Sequence, residues 1–327
     1  MRAAGSTGVP RAGATGVADV PDGYALNDLE SFRLFRDRIV PAELTGTPQQ
    51  HPIAVVVAGQ PGAGKAVVSA AARDVLSERG RPVVLSTAAY EPYHPRFHEV
   101  MQREAPADGR YLRPDGRRWL AQAVGHAVNR RYDVVLESEL LDPSEFEEPA
   151  RKFQEAGYQV EIAFIAVHEA VSRFTVLDRY LRALEIFGHS RMAGQAEHDA
   201  GYRGVLRAAA AADGETFADR VGVFRPDGTL IYGNQRTPDG GWQQPPRAVD
   251  AITWERGRPW SVVESRLFLG SVNAIERLGL SAPDQWIRDL TVEGARAVSA
   301  LAHPRLDSAA ITLHIATAGL SRPDASQ

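Results

Sequence analysis

The sequence predicts an α/β protein: a three-layer, mostly parallel sheet with helices on both faces, followed by a helical C-terminal extension. Short apolar runs at 53–58, 81–85, 132–137 and 158–166 read as strands that are apolar on both faces, as strands covered by helices must be. Helix-compatible stretches at 65–79, 117–130, 142–156 and 168–187 alternate with them, which is the grammar of parallel crossovers. After about Asn234 that alternation stops. A Pro-, Gly- and Gln-rich segment, 237–246, leads into a helical region over 256–318 with no strand pattern.

Taken in order, residues 1–26 form a tail rich in Gly, Ala, Pro and Thr, expected to be flexible. The main domain spans 27–245. It opens on a helix over 27–44, with Leu29, Phe32, Leu34, Phe35, Ile39 and Val40 at helical spacing and Asn27 or Asp28 as its cap. The run 53–58, all Val, Ile and Ala, is the first strand, and Gly80 closes the helix that follows it. Residues 220–224 read as a fifth strand. Asp227-Gly228 turns it into 229–232, a terminal hairpin. Residues 246–327 form the extension.

Composition narrows the function. The chain has 327 residues, 44% hydrophobic and 24% charged, which suits a packed core. A net charge of −4 argues against a broad nucleic-acid surface. With no Cys, thiol catalysis, disulfides and thiolate metal sites are excluded. No stretch reaches the roughly 18 apolar residues of a membrane helix, and residues 1–23 lack the apolar core of a secretion signal. A cytoplasmic protein without membrane or nucleic-acid partners is the expectation.

The strongest local signal is Gly59-Gln60-Pro61-Gly62-Ala63-Gly64-Lys65-Ala66, set between an apolar strand and a helix. Its G-x-x-x-x-G-K spacing lets backbone N–H groups turn inward around a phosphate, the helix start adds a positive end, and Lys65 adds a point charge. The next position, which in such loops carries the Ser or Thr that binds Mg²⁺, is Ala66, whose methyl cannot coordinate a hard cation. Ser69, three residues on, is not expected to replace it.

Further motifs follow in order. Tyr90-Glu-Pro-Tyr-His-Pro95 comes after the second strand, and Glu137 ends the third. Leu177-Asp-Arg-Tyr180, Gly188-His-Ser-Arg191, His198-Asp199 and 227–234 come next. Over about 35–243 this ordered set resembles the zeta toxin family of small P-loop kinases. Its best-known members phosphorylate UDP-N-acetylglucosamine with ATP. The resemblance implies ATP and Mg²⁺ as cofactors, a sugar nucleotide as substrate and a helical antitoxin as partner; the antitoxin blocks the ATP site, so a self-covering C-terminal tail is conceivable. It also implies that Lys65 holds the transferred phosphate while Arg179 and Arg191 reach over it from a helical lid. Charge spread over the equatorial oxygens of a transferring phosphoryl group suits two guanidinium groups.

Glu137, at the carboxyl end of a strand, either accepts hydrogen bonds from a sugar or base or faces solvent. Tyr90 either stacks on a ring or belongs to the core, and His94 either touches substrate or shapes a turn. The decisive departure is Ala88. The family's general base, an Asp, stands two residues before this Tyr, and Ala88 cannot take a proton. Glu91 and Glu137 are the nearest acids, but Glu91 stands where the family commonly has a basic residue. A deliberately disabled enzyme and a natural divergent member both fit two alanines. Glu91 and Ser138, which also depart from the pattern, favour the second. The expected function is therefore an impaired or inactive sugar-nucleotide kinase. The alternatives are a non-catalytic nucleotide-binding module and a kinase of another small molecule.

Overall fold

A computed structural model describes residues 24–101, 111–142 and 145–311; most of the expected tail, 1–26, and the end of the extension, 312–327, lie outside the described residues. Six strands form one sheet: β1 (Ile53–Ala58), β2 (Val83–Ser86), β3 (Val134–Ser138), β4 (Gln159–Ile165), β5 (Arg220–Phe224) and β6 (Leu230–Gln235), in the order β2-β3-β1-β4-β5-β6. The first five are parallel, and β6 closes the edge as the antiparallel half of the expected hairpin. Five predicted strands thus fall where the apolar runs placed them. β2 starts later than its apolar run because Pro82 has no N–H, and pairing begins with Val83.

The main helices are α1 (Asp28–Leu34), α2 (Lys65–Ser77), α3 (Thr87–Tyr90), α4 (Arg113–Arg130), α5 (Glu147–Glu155), α6 (Glu169–Phe187), α7 (Gln195–Gly214), α8 (Ala248–Gly257), α9 (Val262–Leu280) and α10 (Gln285–Ala302), with a short helix at Phe97–Met101. Asn27 caps α1, its side chain accepting from the Glu30 N–H at 3.0 Å. The segment then runs through one π-turn, Phe35–Ile39, into Val40–Glu43. That turn puts Phe35 and Ile39 in the core and leaves Leu29 and Phe32 in solvent.

Most of the core lies on the sheet face covered by α4, α5 and α7, around Trp119, Phe146, Phe153, Phe164 and Phe217. The other face is thinner: α2 packs Val68 and Leu76 on Val57, Val135, Ala163 and Ile165. Beside α2 an apolar groove of about 960 Å³ stays open over β4–β6.

The main element absent from the sequence reading is α7. Its Gly201 and Gly204 look like helix breakers, yet they mark close packing. A Cβ on Gly204 would lie 2.3 Å from the Leu140 carbonyl oxygen, so only glycine lets the helix sit against the turn after β3. The residues closing the tail are tied down. The Leu26 N–H donates to Asp115 Oδ2 at 3.0 Å, and Tyr24 is buried beside Val100 and Leu112.

The extension supplies α8, α9 and α10. The last two form a hairpin packed on α6, with Phe268, Val272, Ala295 and Val298 against Ala170 and Phe174, and Ile275 against Leu177 and Leu181. No described helix is long and apolar enough to cross a membrane.

Candidate active site at the carboxyl edge of the sheet

Parallel register brings three strand ends together. Val57 and Ala58 pair with Glu137 and Ser138, and Ser86 pairs with Glu137, so the loops after β1, β2 and β3 leave the sheet side by side. The loop 59–66 after β1 curls into the first turn of α2. Gly62 (φ 76°) and Gly64 (φ 85°) are left-handed, a conformation an L side chain resists. No side chain caps α2, so its first-turn amides are disposed for an anion. A cavity of about 360 Å³ opens there, with Gly62, Ala63, Gly64, Lys65 and Ala66 in its wall.

The predicted residues divide into three sets. Lys65, Ala66, Ala88, Glu137, Arg179 and Arg191 all line this one cavity. The Lys65 ammonium donates to the Gly59 carbonyl at 2.9 Å and lies 3.8 Å from Glu139. Ala66 and Ala88 both present methyl groups to it and are exposed. Ser69 is buried in α2 and does not line the cavity. The loop therefore offers Mg²⁺ no hydroxyl ligand.

Gln60 and Pro61 shape the loop but point away from the cavity. Gln60 is fully buried and donates to Ser172 Oγ at 3.2 Å. Tyr90 and His94 are corrections to the expected substrate contacts. Tyr90 is 0% exposed, in the main core, where burial pushes its hydroxyl well above the usual range. His94 is buried as well. Its Nδ1 accepts from the Arg96 N–H at 3.1 Å, which assigns the proton to Nε2, 3.1 Å from the Tyr24 carbonyl. His94 shapes a turn.

Arg179 is exposed on α6 and pairs with no carboxylate among the described residues. Arg191 is already engaged: its Nη1 lies 2.7 and 2.6 Å from the two oxygens of the buried Glu91. Burial pushes the Glu91 carboxyl up, and Arg191 offsets only part of that. Arg191 itself is held above the usual range: burial works against its charge, and the fields of Glu91, Glu139 and Glu197 outweigh it.

Three charged wall residues escaped the sequence reading: Arg113, Glu139 and Glu145. Arg113, at the start of α4, pairs with Glu197 of α7 at 2.5 Å, a contact no local pattern reveals. Burial pushes Glu139 up, but Lys65, Arg191, Arg113 and Arg179 together hold it below the usual range. The lining thus sets four cations, Lys65, Arg113, Arg179 and Arg191, against four carboxylates, Glu91, Glu137, Glu139 and Glu145.

His198 and Asp199 lie behind the loop. Ser172 Oγ donates to the Glu169 carbonyl at 3.1 Å and lies 2.8 Å from His198 Nε2, so His198 donates to it. Arg173 spans Glu169 and Asp199 at 2.7 and 2.6 Å. These groups hold α6 to α7. No lining residue comes from beyond Arg191, so the described part of the extension does not cover the cavity; it packs behind α6.

The Glu91–Arg191 pair gives a direct prediction. Glu91→Gln keeps the shape and removes the charge that occupies Arg191, so sulfate should bind about tenfold tighter by calorimetry at pH 7. Because burial raises Glu91, it takes up a proton before an ordinary carboxyl does as pH falls. Sulfate binding to the unaltered chain should tighten as pH falls below neutrality, and Glu91→Gln should flatten the dependence. An equal sulfate affinity in both proteins at pH 7 would remove Glu91 from control of the site.

Comparison with known proteins agrees with the geometry. The Zeta toxin family model matches residues 40–237. Among curated proteins, the chain is 20% identical over 219 residues to Toxin PezT of Streptococcus pneumoniae, covering 67% of this chain and 83% of that protein. It is 23% identical over 132 residues to Toxin zeta of Enterococcus hirae, covering 40% of this chain and 45% of that protein. A solved chain from the PezAT chromosomal toxin–antitoxin system of S. pneumoniae superposes with a TM-score of 0.64 at 18% identity, over 78% of this chain and 98% of that one, so the fold is shared. The family model spans more than half of the chain, including the glycine loop and Lys65 gathered at the strand ends, and this chain belongs to the Zeta toxin family.

Proposed function

We propose that the chain is a P-loop phosphotransferase of the zeta toxin type that binds ATP and a sugar nucleotide such as UDP-N-acetylglucosamine, with transfer impaired by Ala66 and Ala88. The observation that carries this reading is the pair of left-handed glycines leading into an uncapped helix start beside Lys65. Such a cradle fits the terminal phosphates of a nucleotide. Lys65 and Arg179 would neutralise charge on the transferring group, and Glu137 would position the acceptor hydroxyl. Mg²⁺ entering with the nucleotide would lend positive charge to the phosphates, although Ala66 leaves the loop without a hydroxyl to hold it. The fold shared with a chain of PezAT, a chromosomal toxin–antitoxin system, supports an antitoxin as partner.

A second reading, a nucleotide-binding module without turnover, draws on the same cavity: its cations are balanced by carboxylates, and the exposed wall position that would hold a base is Ala88. Titration calorimetry with ATP and with UDP-N-acetylglucosamine tests the proposal. Saturable ATP binding that weakens about tenfold or more in Lys65→Met supports it, since a charge-assisted contact to phosphate is lost. ATP binding that survives Lys65→Met unchanged would place the nucleotide elsewhere. Binding of ATP without the sugar nucleotide would point to another small-molecule acceptor.

A further inference from the structure

We infer that Glu255 and Arg256, adjacent residues in the last turn of α8, are positioning residues that bracket the phosphate loop from behind, so that the C-terminal extension is part of the nucleotide site. The inference rests on the phosphate-loop reading above and extends it to residues outside the family-matched segment. Both side chains are 6% exposed, unusual for charged groups unless they are held.

Arg256 reaches the start of the loop. Its Nη2 donates to Gln60 Oε1 at 3.0 Å, its Nη1 donates to the Tyr202 carbonyl at 2.9 Å, and the guanidinium carbon sits 3.7 Å from the Tyr202 ring centroid. Gln60 passes the contact to Ser172 of α6, the lid helix that carries Arg179 seven residues on. The Ser172 carbonyl lies where a Cβ on Gly62 would fall, so the extension, the loop and the lid helix form one buried, hydrogen-bonded stack.

Glu255 reaches the other end. It accepts from Arg225 Nε at 3.0 Å and Nη2 at 3.1 Å, and from Arg258 Nε at 2.8 Å. Arg225 opens the β5–β6 turn, its N–H bonded to the Thr229 carbonyl at 2.9 Å. The next residue, Pro226, packs on Gly64 so closely that a Cβ there would stand 3.0 Å from the proline. Two consecutive residues thus fix Gln60 and the wall at Gly64, the two ends of the anion cradle.

Arg256 pairs with no carboxylate among the described residues. A buried guanidinium on neutral partners is costly to retain for stability alone. Behind an anion loop it has a use, because its unneutralised charge adds to the potential that attracts phosphate. Burial lowers its pKa only to about 10, so it stays charged at neutral pH.

Amide hydrogen exchange on the full, nucleotide-free chain tests this without relying on catalysis. Arg256→Met keeps the apolar stem and removes the donors. Exchange in peptides spanning 59–66 should rise about tenfold or more, the loss of one charge-assisted hydrogen bond, while β3 and β4 stay protected. ATP affinity should fall about tenfold. Arg266→Met, an exposed position on α9, should change neither. Loosening confined to α9 and α10, with the loop unchanged, would make Arg256 an anchor of the extension only and overturn the inference. Should Arg256→Met not fold, Glu255→Gln decides. Faster exchange at Gly64 and Lys65 supports the bracket, and unchanged exchange there refutes it. Failure of the unaltered chain to bind ATP would sink the proposed function, while the exchange result would still report on the bracket.

Discussion

Ala66→Thr combined with Ala88→Asp is expected to raise ATP-dependent phosphoryl transfer by about 10²–10⁴-fold over the unaltered chain, the usual worth of a positioned general base. Ala88 leaves the end of β2 as part of α3, exposed, and lines the same cavity as Lys65, so a carboxylate there would face the attacking hydroxyl. Neither Glu91 nor Glu139 is an evident replacement. Glu91 holds Arg191 with both oxygens and is buried, and Glu139 sits among four cations that keep it ionised and weaken it as a base. Thr at position 66 adds the hydroxyl that a metal–nucleotide complex requires. Transfer of labelled γ-phosphate to UDP-N-acetylglucosamine, followed for each single and the double variant, checks this. Ala88→Asp should give the larger single gain. A double variant no faster than its parent would mean that the acceptor, or the role given to position 88, is wrong.

Gly62→Ala should cost about 2–4 kcal/mol of stability and weaken ATP binding by about 10²-fold or more. Two penalties combine. The left-handed backbone disfavours any L side chain by about 1–2 kcal/mol. The added Cβ would also stand 2.1 Å from the Ser172 carbonyl oxygen and 3.0 Å from Val176 Cγ2, a clash with helix backbone that only a shift of the loop away from α6 relieves. Gly188 separates the two effects. Its φ of 74° is nearly the same, but nothing lies within 4 Å of its Cβ position, so Gly188→Ala should show the backbone term alone. Denaturant unfolding of both variants, with ATP titrations, gives the comparison. Equal losses at the two positions would mean that the packing of the loop on α6 contributes nothing.

Much of the framework was readable in the chain because its causes are local. Residues 53–58 are apolar and mostly β-branched and must be covered on both sides, and β1 is the strand flanked by β3 and β4. The spacing of Gly59, Gly62, Gly64 and Lys65 specifies a turn that only glycine permits, with a cation at its end. Asn27 announced a helix start, and Asp227-Gly228 a hairpin. Where local cues conflicted with packing, the reading failed. Gly201 and Gly204 argue against a helix until Leu140 is seen pressed against them, so α7 was invisible. Tyr90 and His94 are polar-tipped residues beside the site in sequence, and the turn 91–93 rotates both into the interior.

The sequence by itself determined the fold class, the glycine-rich turn before Lys65 and the methyl groups at positions 66 and 88, because backbone conformation, strand burial and the presence or absence of a functional group are properties of single residues and near neighbours. Only the tertiary structure decided which charges meet, Glu91 with Arg191, Glu139 with Lys65 and Arg113 with Glu197, and that Arg256 is bonded to the neutral Gln60. These partners are far apart along the chain and belong to different elements, so their pairing depends on how helices and strands stack, and electrostatic energy depends on that distance and burial rather than on sequence order.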